Sequence, residues 1–271
     1  MPTQTEKAER FLALHRGERP LLMPNPWDAG TAKVLASLGF DALATTSAGF
    51  ASTLGRHDGK VTRDEAVAHA AAIVAAVDVP VSCDYENGFA DSPDDVRTNA
   101  GLAVNAGLAG FSIEDYRPGD DAGIYDPGLA RDRVAAAAEA AHAGPAHVVL
   151  TGRCENHIRG VTDLADTIAR LQAYQEAGAD VLYAPGVSDL ASIRSIIASV
   201  DRPVNVLALP GAPTVAELAG AGVGRVSVGS AFALVAMGAL VDAATELKEK
   251  GTYDFWAVAG RGMVAALPAL N

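Results

Sequence analysis

Apolar, β-branched runs alternate along this chain with longer amphipathic stretches, and the alternation repeats eight times. The pattern predicts strands at Leu21–Pro24, Ala42–Thr46, Val79–Asp84, Gly110–Glu114, His147–Arg153, Val181–Ala184, Val204–Leu209 and Arg225–Gly229. Helices are expected between them. Thr62-Arg63-Asp64-Glu65 and Ser92-Pro93-Asp94-Asp95 each join a hydroxyl cap to acids in the first turn, where the helix dipole favours negative charge. Thr162-Asp163-Leu164-Ala165-Asp166 opens another helix, and Gly107, Gly178 and Gly222 fall where helices must stop. Strand, helix, strand at this spacing gives a parallel sheet, and eight such units favour closure into a (β/α)8 TIM barrel, one domain over residues 1–271. No Gly-x-Gly-x-x-Gly follows the first strand, which argues against a dinucleotide-binding open sheet.

Composition narrows the classes. The 271 residues are 49% apolar, enough for a large core, and carry a formal net charge of −12. Nucleic-acid and anionic-membrane binders need a basic footprint, so neither partner is expected. Met1 to Lys7 contains no apolar leader segment and the Ala-rich runs are broken by polar residues, so a cytoplasmic protein is expected. Cys83 and Cys154 both lie inside or beside predicted core strands and read as small buried hydrophobes.

In a barrel of this kind the chemistry sits at the carboxyl ends of the strands. The third, fourth and fifth predicted strands end in Asp84-Tyr85-Glu86, Glu114-Asp115 and Arg153-Cys154-Glu155-Asn156, whereas strands six to eight offer mainly Pro185, Gly186, Asn205, Gly229 and Ser230. Positions i and i+2 of a strand share a face, so Asp84 and Glu86 are expected to project together. Two acids on one face repel unless positive charge sits between them, and a hard cation with oxygen ligands meets that need. The plainer readings are a solvated loop edge or helix caps for Asp84 and Glu86, and a structural ion pair for Glu114 with Arg153. His57, His142 and His157 have no nearby serine or cysteine at a strand end, so no nucleophilic triad is expected. A Schiff-base aldolase needs a lysine at a strand end, and Lys7, Lys33, Lys60, Lys248 and Lys250 provide none, although Lys60 follows the second strand.

Several motifs in order carry a resemblance: Asn25-Pro26-Trp27-Asp28-Ala29-Gly30, Thr46-Ser47-Ala48, Gly55-Arg56-His57-Asp58, Asp84-Tyr85-Glu86-Asn87-Gly88-Phe89, Ser112-Ile113-Glu114-Asp115 and Gly152-Arg153-Cys154-Glu155. Along nearly its whole length the chain resembles the isocitrate lyase and phosphoenolpyruvate mutase superfamily. The resemblance implies that Asp84, Glu86 and Glu114 hold Mg2+, with Mn2+ as a substitute, directly or through water. It also implies that Asp58 reaches the same pocket and that Thr46, Ser47 and Ala48 grip a substrate carboxylate. Arg153 then faces a 2-oxo acid as a catalytic group beside Asp58, with Glu155 and Asn205 as further substrate contacts. A homo-oligomer, dimer or tetramer, with the last helix swapped between subunits is implied as well.

The chain departs from the superfamily in two places. The lyases for isocitrate and methylisocitrate carry a lysine and a catalytic cysteine in a loop soon after the fourth strand. Here residues 116–126 contain neither, so the acid that protonates a leaving succinate is missing, as is the mutase-type lysine. Glu86 also replaces the usual second aspartate. The expected activity is therefore Mg2+-dependent lyase or decarboxylase chemistry on a carbon-carbon bond of a small 2-oxo or 2-hydroxy dicarboxylate, through a metal-stabilised enolate. Phosphonopyruvate or carboxyphosphonoenolpyruvate chemistry, and a barrel that binds 2-oxo acids without turnover, are the alternatives.

Overall fold

The computed structural model describes residues 2–119 and 123–270, so Asp120, Asp121 and Ala122 of the loop 116–126 lie outside the described residues. Eight strands form one parallel sheet: β1 Leu21–Met23, β2 Leu43–Ala44, β3 Val81–Asp84, β4 Gly110–Glu114, β5 Val149–Arg153, β6 Val181–Tyr183, β7 Val204–Leu207 and β8 Arg225–Ser227. Their spatial order follows the chain from β2 to β8 and returns to β1, as a (β/α)8 barrel requires. The seam between β1 and β2 is crossed by one backbone bond, Ala44 N–H to the Pro24 carbonyl at 3.1 Å. Asn25 reinforces it: its Nδ2 donates to the Thr45 carbonyl at 2.9 Å, and its Oδ1 accepts from the amides of Val228 and Gly229 at 3.0 Å each. One side chain thus ties the ends of β1, β2 and β8.

Most strands are shorter than the apolar runs that predicted them. Pro24 and Pro80 have no N–H to give to a ladder, so β1 stops before the first and β3 starts after the second. A short antiparallel ribbon of Tyr116–Arg117 and Gly123–Ile124 stands outside the eight strands and was not anticipated. The caps are close to expectation. Thr62 and Glu65 form a reciprocal capping box on the helix Arg63–Ala76, and Ser92 caps Pro93–Asn105. In the segment from Thr162 the cap is Asp163, whose carboxylate accepts from Ala165 and Asp166. Gly107, Gly178 and Gly222 end their helices at φ of 85°, 105° and 87°, a region closed to most side chains.

The helix Gln4–Leu14 closes the amino-terminal end of the barrel with Phe11, which packs with Leu21, Met23, Ala42, Ala44, Ala109, Val149 and Val181. Full burial of such a ring stabilises the fold by about 1.5 to 3 kcal/mol. Gly110 exists for this contact: a β-carbon there would come within 2.7 Å of both Phe11 and the Val149 carbonyl. At the other extreme, the helix Ala231–Lys250 buries only Ala233 and the helix Trp256–Ala265 buries nothing. Leu234, Val235, Leu240 and Val241 each expose more than 60% of their surface.

Candidate active site

β3 ends at Asp84, and the following turn departs from strand geometry at once. Glu86 sits at φ 47° and Phe89 at φ 55°, left-handed conformations that cost a non-glycine residue about 1 to 3 kcal/mol. Asp84 and Glu86 therefore do not share a face through the strand pleat, as their spacing had suggested. The turn brings Glu86 to the barrel mouth. Its conformation is imposed from outside: Arg133 donates to the carbonyls of Asn87, Ala90 and Asp91, and Asn99 Nδ2 donates to the Gly88 carbonyl at 2.8 Å.

β4 delivers Glu114 and β5 delivers Arg153, opposite each other in ladder register. Arg153 Nη1 lies 3.3 Å from Asp84 Oδ1 and 3.3 Å from Glu114 Oε2, while its Nε donates to Glu155 Oε1 at 2.6 Å. Glu155 is fully buried, binds Arg159 through its other oxygen at 2.9 Å, and lines neither cavity at this mouth. Its place is behind Arg153, holding the guanidinium toward the centre of the barrel. Asp115 is also set back, accepting from Tyr174 Oη, Arg170 and the Glu155 amide.

Two cavities meet at Ser47, Asp58 and Arg153. The upper, about 230 Å³, is lined by Glu86, Glu114, Lys60, Tyr116 and Arg159. The lower, about 180 Å³, runs into the barrel past Thr46, Ala48, Asp84 and Asn205. Thr46 caps the helix Ser47–Thr53, and both the amide and the hydroxyl of Ser47 donate to Asp84 Oδ2, at 3.2 and 2.9 Å. Asn205 accepts from Arg225 Nε at 3.0 Å and donates to Ser227 Oγ at 2.9 Å. Arg225, Ser227 and Tyr183, which also line the lower cavity, were missed by sequence reasoning. The signal was there: Tyr183, Asn205, Arg225 and Ser227 put polar groups on β6, β7 and β8, where barrel interiors are ordinarily branched and apolar. Arg225 is buried without a carboxylate partner among the described residues, and desolvation pushes its pKa down to about 10.

The electrostatics of the mouth are those of crowded, desolvated acids. Burial, then Asp84 and Asp58, push the Glu86 carboxyl up to about 8. Burial raises Glu114 well above the ordinary carboxylate range, against the pull of Arg153, and burial followed by Asp84 raises Asp58. Acids crowded in this way suit a hard divalent cation, which relieves that cost. Burial lifts the Cys83 thiol to about 12, so no soft ligand competes. The oxygens of Asp84, Glu86 and Glu114 are not all within 4.8 Å of one another, because Arg153 reaches between Asp84 and Glu114. Mg2+ retains water readily, so this spread fits a cation held partly through water.

Acids and one arginine thus converge at the ends of β3, β4 and β5 of a parallel barrel, and comparison with known proteins identifies the family. Residues 11–248 match the phosphoenolpyruvate phosphomutase model, and the chain belongs to this family within the isocitrate lyase and phosphoenolpyruvate mutase superfamily. A crystal structure from Burkholderia cenocepacia, provisionally assigned as a lyase/mutase, is 48% identical with a TM-score of 0.93 over 97% of this chain and 95% of that one. The 2,3-dimethylmalate lyase of Eubacterium barkeri is 31% identical over 65% of this chain and 62% of its own. Oxaloacetate decarboxylase 2 of Pseudomonas fluorescens is 29% identical over 87% of this chain and 82% of its own. No helix among the described residues is long and apolar enough to cross a membrane.

Proposed function

We propose that this chain is a Mg2+-dependent lyase or decarboxylase, with Mn2+ as a substitute, acting on a carbon-carbon bond of a small 2-oxo or 2-hydroxy dicarboxylate. Oxaloacetate is the substrate type that fits best. The observation that carries the reading is the Arg153 guanidinium, buried among Asp84, Glu114 and Glu155 at the meeting point of two small cavities. When bound, a divalent cation held by Asp84, Glu86 and Glu114 supplies Lewis-acid polarisation of a carbonyl.

The chain's own groups do the rest. Arg153 presents fixed positive charge where a 2-oxo acid gathers negative charge, a preorganised form of stabilisation. Thr46, Ser47 and Ala48 orient the substrate carboxylate at the lower cavity, with Asn205 beneath them. Glu155 fixes Arg153, which turns its expected substrate contact into a positioning role. Asp58, whose pKa burial and then Asp84 raise, holds and transfers a proton. The missing lysine and cysteine in 116–126 favour decarboxylation: the enolate left when oxaloacetate loses CO2 takes one proton at C3, whereas an isocitrate-type cleavage must remove the proton of the 2-hydroxyl and deliver another to the departing succinate carbanion. The exposed apolar faces of Ala231–Lys250 and Trp256–Ala265 support a homo-oligomer joined through these helices. The acidic charge and the motif set suit a soluble cytoplasmic enzyme of small acids.

The test is a panel of 2-oxo and 2-hydroxy dicarboxylates assayed with Mg2+, Mn2+ and chelator. Pyruvate released from oxaloacetate, and abolished by chelator, is the expected result. Phosphate released from phosphonopyruvate would move the chain to phosphonate chemistry. Calorimetric binding of 2-oxo acids without any turnover would make it a binding barrel.

A further inference from the structure

At the opposite end of the barrel from the mouth, three side chains from separate segments converge. His142 ends the helix Pro127–His142, His147 precedes β5, and Asp180 immediately precedes β6. His142 Nε2 lies 3.0 Å from Asp180 Oδ2, and His147 Nε2 lies 2.8 Å from Asp180 Oδ1. The two imidazoles stack with centroids 4.0 Å apart and planes within 9°. Among the described residues this is the one group of three whose ligand atoms all lie within 4.8 Å of one another.

We propose that His142, His147 and Asp180 form a binding site for a borderline divalent ion of the Zn2+ type, which fastens the amino-terminal face of the barrel. The donor set is two imidazole nitrogens and one carboxylate, the nitrogen-rich chemistry that selects Zn2+ over Mg2+. Zinc takes such ligands at about 2.0 to 2.2 Å in the plane of each imidazole, so the exposed His147 ring turns out of the stack for both Nε2 atoms to reach one ion. The carboxylate is already fixed: Asp180 Oδ2 accepts the Leu150 amide at 2.9 Å, and the Asp180 amide donates to the Leu150 carbonyl at 2.8 Å. A cavity of about 490 Å³ opens beside His147 and Asp180, which leaves room for water as a fourth ligand. The exposure of the site, with His147 at 45%, gives an ion direct access. None of the three residues belongs to the proposed catalytic machinery, so this site stands or falls independently of the activity.

Equilibrium dialysis of the full chain against ZnCl2, with millimolar Mg2+ present to occupy any hard-cation site, tests it. The wild-type chain should take up one Zn2+ per chain at micromolar concentration. Its Tm should rise by roughly 5 °C at a hundredfold excess over Kd. Co2+ in place of Zn2+ should give the intense visible bands of four-coordination. The variant His142→Gln with His147→Gln should lose that equivalent, the Tm rise and the bands, while its turnover stays that of the wild type. His147→Gln alone, on an exposed ring, serves if the double variant does not fold. Unchanged Zn2+ uptake in the variant, or no uptake by the wild type below millimolar Zn2+, would overturn the proposal and leave Asp180 as an ion-pair anchor only.

Discussion

Arg153 Nε lies 2.6 Å from Oε1 of Glu155, a carboxylate with no exposed surface, and this contact sets the direction of the guanidinium that touches both Asp84 and Glu114. Glu155→Gln keeps the shape and removes the charge. Loss of a supporting partner of this kind costs about tenfold to a hundredfold in activity. The expected change is a fall in kcat with an unaltered circular dichroism spectrum. Wild-type kcat in the variant would show that Arg153 is held by its other contacts.

Arg153 itself should matter more. Removing one preorganised donor costs about 3 to 4 kcal/mol in the transition state, or about a hundredfold to a thousandfold in rate. Steady-state assays of Arg153→Gln should show that loss in kcat. Lysine at the same position should recover little, because it cannot span two carboxylates in one plane.

Asp84 is the acid contacted by both Ser47 and Arg153. Asp84→Ala should abolish Mg2+ binding measured by calorimetry while leaving the fold intact. An unchanged Mg2+ affinity would remove Asp84 from the cation site.

His15 gives a pH prediction away from the mouth. Burial, then the neighbouring Arg225, push its pKa down to about 3, and its ring contacts the Phe11 carbonyl at 2.7 Å and Arg225 Nη1 at 3.2 Å. In the unfolded chain the imidazole binds a proton below about pH 6.5, and in the folded chain only near pH 3. The unfolded state therefore carries more protons in between, and stability falls as pH drops through that window. The contribution between pH 7 and pH 5 is about 2 kcal/mol. Urea unfolding at the two pH values should show it, and His15→Gln should flatten the difference.

The last two helices supply a prediction on assembly. Leu234→Asp with Val235→Asp places charge on residues that are 65% and 69% exposed in the single chain. Sedimentation should report an oligomer for the wild type and a monomer for the variant. A monomeric wild type would remove the proposed interface.

The alternation of apolar runs and capped helices was enough to call for eight strands and eight-fold closure, because period and punctuation are local properties. Thr62 with Glu65, and Gly107, Gly178 and Gly222, acted where their chemistry said they would. The grouping of acids on neighbouring strands was likewise readable, since strand order follows the chain in such a barrel. Glu86 was harder. Its left-handed turn is held by Arg133 and Asn99, which reach it from later helices and leave no mark beside Glu86 in the sequence. That Glu155 lies behind Arg153 and off the cavity wall was hidden for a related reason: adjacency to Arg153 gives no clue to which side of the strand end is solvent and which is core.

The amino-acid sequence by itself determined the parallel barrel, several of its helix caps and stops, its acidic character and the neighbouring strands on which the acids gather, all of which follow from local periodicity and residue type. Tertiary structure alone decided that Arg153 reaches between Asp84 and Glu114, that Arg225 is buried in the barrel interior against Asn205, His15 and Thr151, and that His142, His147 and Asp180 meet at the far end. Each of those depends on burial and on contacts between residues distant in the chain, where removal from water sets the charge a group can bear.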